Sequence, residues 1–423
     1  MSVSEVSFSD AFKVWARIGV LSFGGPAAQI ALMHRTLVEE KKWLSEQRFL
    51  HALNFCMLLP GPEAMQLAAY AGWSLHGVRG GLCAGVLFVV PGALVVLLLS
   101  MLYVAFGTMP SVSAIFFGIK AAVLAIVIEA LLRVARRALK TMSDWYIAAA
   151  AFIGLYLFGI PFPIIILAAA LIGFFRTAPA SPEARTVPVL LRGRLATVAV
   201  WLVLWFVPVL GLWLAFGPDH VFTAIAIFFS KLAILTFGGA YAVLSYMTQE
   251  VVQARGWLST GEMVDGLGLA ETTPGPLILV IEYVAYLAGH RFAGGVVGGL
   301  AGAAISLWVT FVPCFLWIFT FAPYIDFIRS MPRLSGALAA ITAAVVGVIL
   351  NLSLWFGLHV LFGEVRRIER APFDVWLPDV GSLNVLSLLL LLAAGLLLLK
   401  FRFGVPSVIA LSALAGLGLR FLL

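Results

Sequence analysis

Phe23-Gly24-Gly25-Pro26, Trp43-Leu44-Ser45 and Pro60-Gly61-Pro62-Glu63-Ala64-Met65-Gln66 stand in the first half of the chain, and the second half replays them as Phe237-Gly238-Gly239, Trp257-Leu258-Ser259 and Pro274-Gly275-Pro276. The separations 237 − 23, 257 − 43 and 274 − 60 all equal 214, so the stretch aligns without a gap. Gly80-Gly81 and Gly85 fall on Gly294-Gly295 and Gly299 at the same offset, as do Arg17 on Lys231 and Met33 on Met247. The unit is duplicated, and its most particular parts are helix breakers set in apolar sequence.

Composition decides where such sequence lives. Hydrophobic residues make up 62% of 423 positions and charged residues 11%, with a mean hydropathy of +1.07. That is more apolar surface than a water-soluble core hides, so the chain reads as a polytopic membrane protein in contact with lipid. The net charge of +7 does not point to nucleic acid, because the basic residues gather in short loops between apolar runs. Cys56, Cys83 and Cys314 have no metal-ligand or redox spacing, so neither a metal nor a cofactor is expected. Met1 to Asp10 is polar and acidic, without the basic start of a removable signal peptide.

Taken in order, residues 8–41 and 45–75 are apolar segments broken at the Phe-Gly-Gly-Pro and Pro-Gly-Pro turns. Each is either a broken span or a re-entrant hairpin with its tip at membrane depth; sequence leaves both open. Spans follow at 80–106, 111–132, 145–160 and 161–175, then a linker rich in Pro and Arg over 177–194 and one extra span at 195–217. Broken segments return at 221–254 and 259–289, with spans at 294–321 and 334–362, a polar loop from Gly363 to Ser382, and last spans at 383–399 and 404–422. The expected fold is therefore all-α, in three parts: a first repeat over 8–176, a linker and connecting span over 177–217, and a second repeat over 218–423.

Loop charges orient the halves. Arg133, Arg136, Arg137 and Lys140, and then Arg176, Arg185, Arg192 and Arg194, belong on the cytoplasmic side. The uncharged turns Gly107–Pro110 and Gly159–Pro163 suit the outside. The single span at 195–217 then turns the second repeat upside down, placing Asp326, Arg329, Arg333, Lys400 and Arg402 inside and the Glu364–Asp379 loop outside. Inverted repeats with discontinuous helices are a frequent construction of secondary transporters, with substrate held at midplane by half-helix N-termini.

The candidate anion site on this reading is Phe23, Gly24, Gly25, Pro26 and Gln29 with Pro60, Gly61, Pro62, Glu63 and Gln66, joined by Gly238, Gly239, Thr272, Thr273, Pro274, Gly275 and Pro276 from the second repeat. Glycines admit close backbone approach, and prolines sit where a first helical turn needs no N–H. The plain alternative is that these breaks are kinks serving helix packing. Arg17, Lys120, Lys231, Glu63, Glu271 and Glu282 are charges in apolar runs, expected to balance the substrate's charge or couple its movement. Glu129 lies in such a run as well. Snorkelling competes for Arg17 and Lys231, and a structural pair of Glu63 or Glu271 with Arg17 or Lys231 is an equal alternative. Glycine pairs such as Gly294-Gly295 and Gly298-Gly299 permit close packing within one chain or in a homodimer.

The blocks Phe23-Gly24-Gly25-Pro26-Ala27-Ala28-Gln29-Ile30, Leu58-Leu59-Pro60-Gly61-Pro62-Glu63-Ala64-Met65-Gln66-Leu67 and Thr272-Thr273-Pro274-Gly275-Pro276 resemble those of the chromate ion transporter family, in its long, two-domain form. The resemblance implies chromate efflux across the bacterial inner membrane, driven by membrane potential or a proton gradient. Sulfate or another tetrahedral oxyanion fits the same physics. A membrane enzyme would need a cluster of catalytic groups that is not evident, and a scaffold would show no flux. The second repeat departs from the first at Ala240, where Pro26 stands, and at Glu271, which precedes its turn.

Overall fold

The computed structural model describes residues 6–23, 25–176, 195–237, 240–322, 331–370 and 373–422. They form helices almost throughout. The first repeat contributes α1 (Phe8–Leu21), α2 (Gly25–His34), α3 (Glu46–Cys56), α4 (Glu63–Phe106), α5 (Pro110–Ala138), α6 (Met142–Tyr156) and α7 (Phe162–Arg176). The connecting helix α8 (Leu195–Phe216) follows. The second repeat contributes α9 (Val221–Leu235), α10 (Ala240–Thr248), α11 (Thr260–Thr272), α12 (Val280–Phe292), α13 (Gly295–Phe321), α14 (Pro332–Leu361), α15 (Val385–Leu399) and α16 (Val405–Leu422). Five of these, α4, α5, α8, α13 and α14, are long and apolar enough to cross a bilayer.

The duplication extends to local geometry. Both α2 and α10 run on into a π-helical turn, Arg35–Glu40 and Gln249–Ala254, at the same offset. After each turn a tryptophan N–H donates back to a carbonyl, Trp43 to Leu37 and Trp257 to Val251. Serine caps the next helix in the first repeat, where the Ser45 hydroxyl accepts from the Arg48 N–H; in the second, the Ser259 hydroxyl accepts from the Glu262 N–H. The shared Trp-Leu-Ser is thus a turn-and-cap device that restarts a helix.

Compact units do not follow the repeats. One unit takes Met1–Ser100, Pro179–Ala240 and Thr273–Pro332; the other takes Met101–Ala178, Tyr241–Thr272 and Arg333–Leu423. In the first unit α4 is two helices merged at a sharp kink, His76 (φ −135°) and Gly77 (φ +58°). Its arms lie against each other, since a Cβ on Gly72 would strike the Gly80 carbonyl and one on Gly85 the Met65 side chain. Helices α12 and α13 repeat the hairpin through Gly289 and Gly298. Small residues let these backbones touch where lipid offers no hydrophobic drive for association.

In the second unit α5 packs on α16, where Gly118 meets the Ser412 carbonyl and Gly416 the Ala114 carbonyl. Near its start, α14 lies on α7 through Gly336 and Gly173. The polar loop read from sequence as irregular contains a two-stranded antiparallel hairpin, β1 (Val365–Arg370) with β2 (Phe373–Pro378), register Val365 to Pro378. The described membrane segments are helical as expected, and this hairpin is a local exception in the loop between them. Phe373, Val375 and Trp376 are residue types that favour strands, a local preference that the loop's overall polarity concealed. The hairpin is pinned to the α6–α7 turn by the Asp374 N–H donating to the Leu157 carbonyl at 2.8 Å and the Tyr156 hydroxyl donating to the Trp376 carbonyl at 3.2 Å.

Candidate functional site

The breaks of the two repeats meet in the first unit, and they meet crosswise. The Gly61 N–H donates to the Thr236 carbonyl at 2.8 Å, and the Gly275 N–H donates to the Ser22 carbonyl at 2.8 Å. Gly61 and Gly275 are 214 apart, and so are Ser22 and Thr236, so each Pro-Gly-Pro turn is bound to the other repeat's break. The breaks themselves are built alike. The Ser22 hydroxyl donates back to Ile18 at 2.6 Å and the Thr236 hydroxyl to Leu232 at 2.7 Å, drawing off a helix-end carbonyl that would otherwise lack a donor.

Gly61 (φ +123°) and Gly275 (φ +85°) hold left-handed backbone that other residues adopt at a cost. Gln29 braces one side of the crossing: its Nε2 donates to the Gly275 carbonyl at 2.6 Å and to Ser22 at 3.3 Å. Gln66 braces the other, donating from Nε2 to the Pro60 carbonyl at 2.7 Å. Pro62, Thr273, Pro274 and Pro276 are buried around them, and Pro60 half-buried. The turn N–H groups expected from sequence to be open to an anion are therefore taken up by carbonyls, because a buried donor at a break needs a partner and the other repeat supplies one. Still open is the first turn of α2, where Ala27 and Ala28 are exposed beside Phe23, with Gly25 and Pro26 half-buried. Gly24, Gly238 and Gly239 lie outside the described residues.

The charges separate into kinds. Arg17 and Lys231 are exposed, and neither joins an ion pair among the described residues. Glu63 opens α4, where a carboxylate suits the positive end of the helix dipole. Glu282 is 1% exposed, and its Oε2 has no hydrogen-bond partner among the described residues.

Three of the sequence candidates fall in the second unit. Lys120 Nζ lies 3.0 Å from Asp265 Oδ1, while the Tyr103 hydroxyl donates to Asp265 Oδ2 at 2.8 Å. Glu271 receives the Tyr241 hydroxyl at 2.7 Å. The Thr272 hydroxyl turns back to Leu269 at 2.7 Å. Glu129 pairs with Arg133 one turn on. Asp265, Tyr103 and Tyr241 were not among the sequence candidates. Asp265 stands in the apolar run Val264-Asp265-Gly266-Leu267, so the test that picked out Lys120 would have found it. The tyrosines carried no such signal, being ordinary membrane aromatics until a carboxylate is seen beside them. Among the described residues no cluster of three or more His, Cys, Asp or Glu is placed to hold a metal.

Chemically, then, the first unit has a crossing of broken helices with an exposed first turn at α2, and the second unit has the paired charges Lys120–Asp265 and Glu129–Arg133. Comparison with known proteins gives this arrangement a context. The chromate transporter family description matches residues 9–174 and again 223–417, two stretches that begin 214 residues apart (223 − 9). A chromate transport protein of Pseudomonas aeruginosa is 33% identical over 352 residues, 81% of this chain and 80% of its own length. One from Cupriavidus metallidurans is 29% identical over 404 residues, covering 95% and 90%. An uncharacterised transporter of Methanocaldococcus jannaschii is 26% identical over 349 residues, covering 82% and 84%. No solved structure matches the chain.

Proposed function

The chain belongs to the chromate transporter family, and from that premise we propose that it is a secondary transporter exporting chromate across a bacterial inner membrane. The family is one of transporters rather than enzymes. The observation that carries the reading is the reciprocal tie of the duplicated breaks, Gly61 to Thr236 and Gly275 to Ser22. Discontinuous helices paired about a pseudo-two-fold axis are the construction in which alternating access is achieved by moving one repeat element against another.

Support for the inverted arrangement comes from the second unit. Helix α5 follows the second arm of α4 as α14 follows α13, and is its counterpart in the first repeat. Its first residue, Pro110, lines a surface pocket with Asn384, and the Asn384 N–H donates to Leu361, the last residue of α14, at 2.7 Å. The start of α5 and the end of α14 thus both lie near Asn384, which supports the inverted reading.

The oxyanion is held at the first break, by the first-turn N–H groups of α2 beside Phe23, Gly25 and Pro26. Glu63 disfavours a second negative charge at the Pro60-Gly61-Pro62 turn, which leaves that turn and Pro274-Gly275-Pro276 as the joint of the moving parts. Lys120 and Glu271 serve charge balance and coupling. Moving a dianion outward with an inside-negative potential of 100 mV is favourable by roughly 4–5 kcal/mol, so no nucleotide is needed. Sulfate or another tetrahedral oxyanion is the second reading, favoured by a donor set that carries no feature peculiar to chromate.

The test is uptake of labelled chromate into inverted membrane vesicles, with potential and pH gradient clamped separately and sulfate as competitor. Saturable uptake that follows the imposed potential supports dianion efflux. Saturable sulfate uptake without chromate uptake would retain the transporter and replace its substrate; no flux of either would remove the reading.

A further inference from the structure

A small cavity of about 40 Å³ lies in the second unit beneath the β1–β2 hairpin, lined in part by Ser245, Gln249, Gln253, Asn351 and Trp355. By that measure it has room for roughly three water-sized atoms, the scale of a small oxyanion's oxygens. The Ser245 hydroxyl and the carboxamides of Gln249, Gln253 and Asn351 have no hydrogen-bond partner among the described residues. The indole N–H of Trp355 is buried and also without a partner there, on a residue only 7% exposed. An indole N–H donates and never accepts, so an acceptor reaching it from the cavity that Trp355 lines would satisfy it.

Backbone geometry explains why these groups converge. Ser245, Gln249 and Gln253 follow at four-residue spacing, the first step in α10 and the second in the π turn Gln249–Ala254. Four residues overshoot a turn of α-helix and fall short of a turn of π-helix, so the change of register keeps all three on one face. The positions 214 earlier are Ala31, Arg35 and Glu39. The donor face is therefore peculiar to the second repeat and is not a consequence of duplicated packing. Asp374 also lines the cavity, but its carboxylate is taken by Arg367, Nε to Oδ1 at 2.8 Å and Nη2 to Oδ2 at 2.6 Å. A cation would find no uncommitted negative charge, whereas an anion would find up to five neutral donors.

We propose that this cavity is a second oxyanion site, in which a small tetrahedral anion is bound by the Trp355 indole, the Ser245 hydroxyl and the carboxamides of Gln249, Gln253 and Asn351. The choice of chromate and sulfate as ligands rests on the transport reading above; the donor geometry does not. Neutral donors bind a dianion without the long residence that an uncompensated lysine would impose, which suits a site passed through rather than one of storage.

The test is 15N-indole NMR on the full chain in lipid nanodiscs, with the Trp355 resonance assigned by its absence in Trp355→Phe. The expected result is a saturable shift of that resonance with sulfate and with chromate, and none with chloride at equal ionic strength. Asn351→Asp, which keeps the shape and turns a carboxylate on the anion, should weaken the titration at least tenfold with an unchanged gel-filtration profile. A Trp355 resonance that stays fixed in sulfate and chromate, as a cavity holding only water would leave it, overturns the proposal even if transport is normal. A saturable shift in a protein with no flux would keep the site and discard the transport reading.

Discussion

At the scale of single residues, Gly92 shows how narrowly the second Pro-Gly-Pro turn is seated. A Cβ there would strike the Pro274 carbonyl, which is backbone and cannot swing aside as a side chain could. Gly92→Ala should destabilise the protein by about 1–3 kcal/mol and lower transport, whereas Gly395→Ala, with nothing within 4 Å, should be neutral or stabilising by up to ~1 kcal/mol. Thermal unfolding in detergent separates the two. Asp265→Asn removes the partner of a lysine whose side chain is only 28% exposed. Discounted for that exposure, the loss should be about 1–3 kcal/mol. Tyr103→Phe, which deletes one hydrogen bond to the same carboxylate, should cost no more than that. Equal stability of Asp265→Asn and wild type would show the pair to be loose.

At the scale of elements, the entry into α6 is held by a cap that depends on pH. Asp144 lies ahead of the span, with its side chain receiving the Thr141 N–H at 2.9 Å while the Thr141 hydroxyl accepts the Asp144 N–H at 3.3 Å. Burial pulls the Asp144 carboxyl upward, but the bonds from Thr141, the Arg176 side chain and the Lys140 N–H outweigh it and hold the carboxyl below its usual value. A carboxyl depressed on folding stabilises fully above its unfolded pKa and loses that contribution as pH falls through the folded one. Asp144→Asn should thus lower stability by about 1 kcal/mol at neutral pH, and its difference from wild type in melting temperature should shrink as pH drops below about 4. A difference unchanged down to pH 3 would mean that the carboxylate is not what secures the cap.

At the scale of the whole molecule, both compact units draw on both repeats. A half chain ending at Arg176 has Gly61 but no Thr236, and Ser22 but no Gly275, so its breaks keep buried polar groups without partners. Expressed alone, either half should be protease-sensitive and inactive; co-expressed, the halves should regain protease resistance and part of the wild-type flux. A stable, transporting first half on its own would show that the crossing is dispensable.

Much was legible in order along the chain. The class followed from apolar content, and the duplication from a fixed offset, because both are properties of composition and spacing. Breaks at Gly and Pro and the α5, α8, α13 and α14 spans were readable because backbone restrictions and helix-length apolar runs are local. What tertiary structure decided is pairing. Only folding tells that Gly61 bonds Thr236 rather than an anion, that Lys120 is answered by Asp265, that Glu271 takes Tyr241, and that a π turn aligns Ser245, Gln249 and Gln253 beneath a hairpin. Each joins groups that are dozens to hundreds of residues apart or depends on a change of helical register. A buried polar group is obliged to find a partner, but the chain's order does not say which one it finds.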